Sequence, residues 1–162
     1  MEQKPPIYLY TDGAASGNPG PGGFGTILVC KNLEKTLCGG FRLTTNNRME
    51  LLAVIVGLEA IRWENATVEV WSDSSYVVNA VSKGWVFGWE KKDFEKKKNR
   101  DLWERFLRVY RIHHVTFHWI KGHAGHPYNE RCDRMAVESG GGAAAKGAVL
   151  PPDTGYENGN GD

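Results

Sequence analysis

Short runs of β-forming residues fill the first part of the chain, and helical spacing takes over at Asn46. Ile7–Thr11 is a short β-rich run, and Gly13 to Gly25 is a turn region centred on Asn18-Pro19-Gly20-Pro21-Gly22-Gly23. Phe24–Cys30 and Thr36–Leu43 are two further β-like runs, and the five residues 31–35 between them are short enough for a hairpin. The opening therefore predicts a meander. From Asn46 to Trp63 the period changes, with Met49, Leu52, Ala53, Val56, Ala60 and Trp63 at three- and four-residue spacing and no proline, which predicts a long helix. Thr67–Ser72 then reads as a strand, Ser74–Ser82 as a short helix, Arg100–Tyr110 as another helix and Val115–Ile120 as a strand. Pro127–Glu138 reads as a last helix, with proline in its first turn. The order β-β-β-α-β-α-α-β-α predicts an α/β fold around a mixed sheet whose parallel part is buried between helices.

A length of 162 residues is that of one domain with a substantial core. Nothing in the chain approaches the roughly 18 consecutive apolar residues of a membrane span, so no membrane partner is expected. The start, Met-Glu-Gln-Lys-Pro-Pro, has no apolar signal core. Three cysteines (Cys30, Cys38, Cys132) are too few for a disulfide framework, and a reducing cytoplasm is expected. After Glu138 the composition falls to Ser-Gly-Gly-Gly-Ala-Ala-Ala-Lys-Gly, then Pro151-Pro152 and an Asn/Gly-rich end. Residues 1–138 are therefore expected to form the folded domain and 139–162 a disordered tail.

Net charge is only +1, but its distribution is uneven: Lys83 to Arg111 holds ten Lys or Arg against five acids, a local excess of five. The remainder must then carry a net negative charge. A basic arm beside an acidic site is what a metal-dependent nuclease needs.

Asp12 and Asp73 each stand at the C-terminal end of a predicted strand. If those strands are neighbours, a spacing of about 4.8 Å lets both acids hold one metal ion at the edge where open α/β sheets bind ligands. Either Asp alone reads equally well as a turn or N-cap residue. Glu50 at the start of the long helix reads alone as the partner of Asn47 in a capping box. Asp133 lies four residues after Asn129 inside the last helix, where a solvated acid beside Arg131 or Arg134 is the ordinary reading. The chain shows no Cys/His spacing of a zinc site.

Several motifs occur together and in order. They are Thr11-Asp12-Gly13, Asn18-Pro19-Gly20-Pro21-Gly22-Gly23, Thr44-Thr45-Asn46-Asn47-Arg48-Met49-Glu50, and Ser72-Asp73-Ser74 followed by Tyr76-Val77. Lys121-Gly122-His123-Ala124-Gly125-His126-Pro127 and Asn129-Glu130-Arg131-Cys132-Asp133 complete the set. Together they resemble bacterial type 1 ribonuclease H over Ile7–Glu138, and Asp153-Thr154-Gly155-Tyr156 looks like the tail of some members. The resemblance implies a five-stranded mixed sheet, an antiparallel meander plus parallel strands, flanked by helices. It also implies an endonuclease that hydrolyses the RNA strand of RNA·DNA hybrids, leaving 5′-phosphate and 3′-hydroxyl ends. Asp12, Glu50, Asp73 and Asp133 become the metal-binding carboxylates, and His123 the mobile catalytic histidine.

Chemistry makes sense of that set. Four carboxylates would repel a phosphodiester, whereas two Mg²⁺, or Mn²⁺ in their place, cancel the charge and leave oxygen coordination open. Two ions about 3.5–4 Å apart serve both the attacking water and the leaving 3′-oxygen. An imidazole near pH 6.5 at His123 could take a proton from that water or assist product release. By the same resemblance Asn18, Asn46 and Asn47 contact sugar and base edges in the hybrid minor groove, where the 2′-OH marks the RNA strand. Thr45 and Asn99 look like members of a pocket for a DNA-strand phosphate, and Trp85 and Trp89 like a groove for deoxyriboses. Turn, cap and core-packing readings compete for each of these. The segment Glu90–Asn99 is short and mixed in charge for this family, which implies weaker hybrid binding. A monomer without an obligatory protein partner is expected. The alternatives are another nuclease of the same fold, of resolvase or integrase type, and a non-catalytic hybrid-binding module.

Overall fold

In a computed structural model that describes residues 4–122 and 125–161, the meander is present and longer than its pattern predicts. It comprises β1 (Ile7–Ala15), β2 (Gly20–Cys30) and β3 (Leu33–Thr44), all antiparallel. The glycine run that reads as a turn region is mostly strand, with Ala14 opposite Gly23 and Ala15 opposite Gly22. Its glycines serve close packing: a Cβ on Gly25 would stand 2.4 Å from the Cys132 carbonyl oxygen, and one on Gly23 would stand 2.5 Å from that of Ala136. The β2–β3 hairpin closes over Lys31 and Asn32 alone, with Lys31 left-handed at φ 54°.

The rest of the chain runs α1 (Asn46–Glu59), β4 (Thr67–Ser72), α2 (Ser75–Ser82), α3 (Trp85–Lys91), α4 (Arg100–Tyr110), β5 (His114–Trp119) and α5 (Pro127–Ser139). A short α6 (Gly141–Ala145) and one π-helical turn, Tyr156–Asn160, follow. The sheet order is β3-β2-β1-β4-β5, with β4 parallel to both β1 and β5, the mixed five-stranded sheet expected. Thr45 caps α1 by accepting the Arg48 N–H at 3.3 Å, so the capping box read for Asn47 and Glu50 does not form. Helix α1 is buried nearly all round, as a helix between sheet and a second helix must be. Met49, Leu51, Leu52, Val54, Ile55 and Leu58 meet Ile7, Leu9, Val68 and Val70 from the sheet and Trp103, Phe106 and Leu107 from α4 in one core. No helix among the described residues is long and apolar enough to cross a membrane.

The opposite sheet face is covered only in part. Helix α5 lies over β1 and β2, where Cys132 and Ala136 are buried. Over β4 and β5 the outward residues Thr67, His114 and Thr116 are exposed, and Glu69, Trp71 and His118 are half-buried. The parallel part of the sheet is therefore not enclosed between helices as the pattern predicts, because the last helix turns back over the meander.

The segment after residue 138, expected to be disordered, is docked. The Pro151 carbonyl accepts the Arg42 N–H at 2.9 Å, and the Asn160 carbonyl accepts the Asn99 N–H at 2.7 Å. Asp153 accepts from Thr44 Oγ1 at 2.7 Å and from Arg48 Nε and Nη2 at 2.8 and 3.0 Å. Arg48 is only 1% exposed, and its Nη1 and Nη2 also donate to Asp101 at 2.8 and 2.7 Å, with Nη1 reaching Asn99 Oδ1 at 3.3 Å as well. A buried guanidinium requires counter-charges, and the tail supplies one of them. Docking through ion pairs and backbone bonds needs few apolar residues, which is why the composition conceals it.

Hydrogen bonds from Arg48 and Thr44 hold the Asp153 carboxyl below the usual aspartate range against the opposing effect of burial. A depressed carboxyl contributes stability that is present above its unfolded pKa and lost as pH falls through the folded value. Asp153→Asn is expected to destabilise the fold by about 3 kcal/mol at neutral pH, the lower end for breaking a buried pair because Asp101 remains. The wild-type advantage should shrink in acid below about pH 4. Urea unfolding of both chains across pH is the check, and equal midpoints at pH 7 would contradict the ion-pair account.

Candidate active site

Two residues beyond the last parallel pair, Tyr10 opposite Trp71, the β1 and β4 segments present Asp12 and Asp73 near each other. Asp12 is not at a strand end as its sequence context predicts, since β1 continues against β2 with Asp12 opposite Gly25. It is at the end of the parallel ladder instead. Gly13 lets α1 approach: a Cβ there would lie 2.3 Å from the Glu50 nitrogen and 2.4 Å from the Met49 carbonyl carbon. With the first turn of α1 pressed on β1 in this way, oxygens of Asp12, Glu50 and Asp73 all lie within 4.8 Å of one another.

This cluster is largely withdrawn from water. Asp12 is 3% exposed, and its Oδ1 accepts the Gly13 N–H at 2.9 Å. Burial, and then the charges of Asp12 and Asp73, push the Glu50 carboxyl well above the usual glutamate range. Its Oε1 is buried and has no hydrogen-bond partner among the described residues. An all-oxygen donor set with a buried, unsatisfied carboxylate oxygen fits a hard divalent cation, which would cancel the mutual repulsion. Around it, Ser74 caps α2, and the Trp119 indole N–H donates to the Asp73 carbonyl at 3.1 Å. Asp133 is half-buried on α5 and outside the three-carboxylate cluster. His123 lies outside the described residues.

The remaining predicted site residues fall into three groups. Asn18 and Asn46 are joined: Asn18 Oδ1 accepts the Asn46 N–H at 3.0 Å, and Asn46 Oδ1 accepts the Ala15 N–H at 2.7 Å. Both are exposed, and Asn47 beside them is half-buried. Thr45 and Asn99 are buried around Arg48. Asn99 is wholly inaccessible, with Oδ1 accepting from Arg48, Nδ2 donating to the Tyr76 hydroxyl and its N–H given to Asn160. Trp85 and Trp89 share a face of α3. Trp85 is 47% exposed with Lys83 Nζ 5.4 Å from its ring, and Trp89 has Lys97 Nζ at 5.2 Å and its ring edge-on to Trp103. Sequence reasoning missed α3, which buries only Val86, and missed Arg48 as the hub that joins α1, α4 and the tail.

Comparison with known proteins follows the same line. The RNase H family model matches residues 4–140. Ribonuclease H of Desulforamulus reducens is 55% identical over 152 residues, 91% of this chain and 92% of its own length. That of Rippkaea orientalis is 51% identical over 94% of this chain and 93% of its own. Among solved structures, LC9-RNase H1, a type 1 RNase H with the type 2 active-site motif, superposes with a TM-score of 0.78 at 29% identity, covering 88% of this chain and 75% of that one. LC11-RNase H1 in complex with RNA/DNA hybrid superposes at 0.61 with 27% identity, covering 85% and 99%.

The raised Glu50 carboxyl sets a stability signature. A carboxyl raised in the folded state contributes stability below its unfolded pKa that is lost as pH rises through the folded value. Without divalent metal, the wild type should therefore lose stability from about pH 5 upward, and Glu50→Gln should remove much of that loss. The gain at pH 8 is expected to be on the order of 1 kcal/mol, about 2–4 °C in Tm for a chain of this size. Added Mg²⁺ should stabilise the wild type far more than the variant. Thermal melts with and without Mg²⁺ decide it, and identical pH profiles for the two chains would contradict the repulsion described.

Proposed function

Because the chain belongs to the ribonuclease H family, we propose that it hydrolyses the RNA strand of RNA·DNA hybrids at the carboxylate cluster, with Mg²⁺ as its metal. The observation that carries this reading is the convergence of Asp12, Glu50 and Asp73 within 4.8 Å, with a buried Glu50 oxygen lacking a protein partner. These three residues would hold the metal, and Asp133 would complete the set from α5. The chemistry supplied on binding two such ions is activation of a water for attack on phosphorus and stabilisation of the leaving 3′-oxygen, giving 5′-phosphate and 3′-hydroxyl ends. No protein nucleophile is required.

The chain's own residues orient and bind. Glu50 and Asp12 are held on rigid elements by the Gly13 contact and the Thr45 cap, which fixes the donor geometry before substrate arrives. His123 is assigned to proton transfer at the attacking water or to product release. Asn18, Asn46 and Asn47, on the rim near the start of α1, are assigned to sugar and base edges of the hybrid, where the 2′-OH distinguishes RNA. Trp85 and Trp89 with their lysines are assigned to the DNA strand. Thr45 and Asn99 are assigned to a DNA phosphate. Residues 1–138 are read as the catalytic unit, and the protein as a cytoplasmic monomer.

The basic arm is more available than its composition implies. Glu90 is paired with Arg111, and Asp93 with Arg100 at 2.7 Å, so these acids are answered by arginines. Lys91, Lys92, Lys96, Lys97 and Lys98 stay exposed. Hybrid binding should therefore be strongly salt-dependent, with a slope of roughly −0.9 in log K per phosphate contact. Replacing Lys96, Lys97 and Lys98 together by Ala is expected to raise KM and flatten that slope by up to about 3, leaving kcat at saturation near wild type. A collapse of kcat with an unchanged slope would remove the arm from substrate binding.

Single-turnover cleavage tests the activity itself. A hybrid should be cut in its RNA strand, and duplex DNA and duplex RNA of the same sequence should not. Asp12→Asn and Asp73→Asn should each abolish cleavage while hybrid affinity in Mg²⁺ stays within about tenfold, since groove contacts remain. Residual turnover above a few per cent in either variant would refute the assignment.

A further inference from the structure

Of the three clustered carboxylates, Asp73 stands on the least supported piece of chain. Asp12 is within β1, opposite Gly25 of β2, and Glu50 is in the first turns of the buried helix α1. Asp73 follows the last residue of β4 and precedes α2, and it belongs to neither strand nor helix. Oxygens of Asp12 and Glu50 lie within 4.8 Å of its carboxylate, and the repulsion among three such groups acts to turn the least restrained of them outward.

Hydrogen bonds hold the main chain on both sides of it. The Ser72 carbonyl accepts the Ile120 N–H at 2.9 Å, and Ser72 Oγ accepts the Ser74 N–H at 3.1 Å. The Asp73 carbonyl itself accepts from the Trp119 indole Nε1 at 3.1 Å. Trp119 is the last residue of β5 and stands opposite Ser72 in the parallel ladder, so this bond reaches from β5 to the peptide just past the end of β4. The Trp119 side chain is 53% exposed and lies outside the hydrophobic core, whereas Trp103 is fully buried within it. A tryptophan left half in water forgoes much of the apolar burial that usually places this residue. What it provides here is a donor at the edge of the carboxylate cluster, which no purely apolar ring can supply.

We propose that Trp119 is a positioning residue for the metal: its indole N–H holds the Asp73 peptide so that the carboxylate stays within reach of Asp12 and Glu50. The inference rests on the metal-site reading above. Ligands gathered before the ion arrives bind it more tightly than ligands that must first be drawn together against their own repulsion. Losing the Trp119 donor therefore weakens metal binding without removing a ligand, as loss of a residue that orients a metal ligand does. The expected factor is about two- to tenfold, what one neutral hydrogen bond contributes.

The test is a titration of the full chain with Mn²⁺ alone, the free ion being followed by electron paramagnetic resonance, in the wild type, Trp119→Phe, Trp119→Leu and Asp73→Asn. Trp119→Phe keeps a ring and removes the donor, and its Mn²⁺ dissociation constant is expected to rise about two- to tenfold. Trp119→Leu, which removes the ring as well, should show the same rise, because the donor and not the ring is what acts. On a hybrid, the metal concentration for half-maximal cleavage by Trp119→Phe should rise by the same factor. A merely structural role would lower the melting temperature of Trp119→Phe without metal and leave its Mn²⁺ constant at the wild-type value, and that result overturns the proposal. So does a Trp119→Phe chain that binds Mn²⁺ as the wild type does while Trp119→Leu does not, and so does weaker hybrid binding with Mn²⁺ binding unaltered, which would make the ring a nucleic-acid contact. Weak Mn²⁺ binding in Asp73→Asn with wild-type binding in Trp119→Phe defeats this inference alone. Wild-type binding in Asp73→Asn defeats the metal-site reading and this inference with it.

Discussion

Three carboxylates forced into one partly dry corner repel one another, and much of the surrounding fold keeps them there. The repulsion is visible in Glu50, whose carboxyl is raised by burial and by its two neighbours. Opposing it are the parallel pairing of β1 with β4, which places Asp12 beside Asp73, and the core under α1, which has no slack for that helix to retreat. Gly13 removes the side chain that would otherwise hold α1 away from β1. At the same end of α1, Arg48 fastens the helix through Asp101 to α4 and through Asp153 to the C-terminal segment. The site is therefore built as a strained electrostatic arrangement inside a rigid frame, and a divalent cation is the natural relief of that strain.

The same economy of charge extends to the surface. A net charge of +1 conceals a division between an acidic corner and a basic arm, and ion pairs sharpen it by neutralising Glu90 and Asp93 with arginines. Lys91 at the end of α3 and the lysines of the following turn are left exposed, as the proposed binding of a polyanion requires.

Much of this arrangement was legible in the amino-acid sequence because it depends on local pattern. Thr67–Ser72 is a strand with the bounds that its composition predicts, and the helical period begins at Asn46 where α1 begins. Asp12 and Asp73 could be paired conditionally, because both follow β-rich runs that bring the acids together if the two strands are neighbours, as β1 and β4 are. What escaped depends on tertiary packing. The glycines between Gly20 and Gly25 read as turn residues, although they are strand residues thinned to admit α5. Helix α3 buries only one side chain and so has almost no apolar period. The tail is held by Asp153 and by backbone bonds, which hydrophobicity cannot register. The burial of Asn99 around Arg48 and under Asn160 also lies outside what local pattern carries, since a loop residue's accessibility is decided by what folds over it.

On the reading proposed above, the Asp12–Glu50–Asp73 corner is the metal site at which RNA is cut. Anomalous diffraction at the manganese edge, from crystals of the Asp12→Asn protein and the wild type grown with a hybrid and Mn²⁺, addresses it directly. In the wild type, anomalous peaks are expected about 2.0–2.2 Å from carboxylate oxygens of Asp12, Glu50 and Asp73, beside a phosphate of the RNA strand, with a weaker or absent peak in the variant. Manganese bound elsewhere in the wild type, with these three carboxylates left without it next to a bound hybrid, would contradict the account.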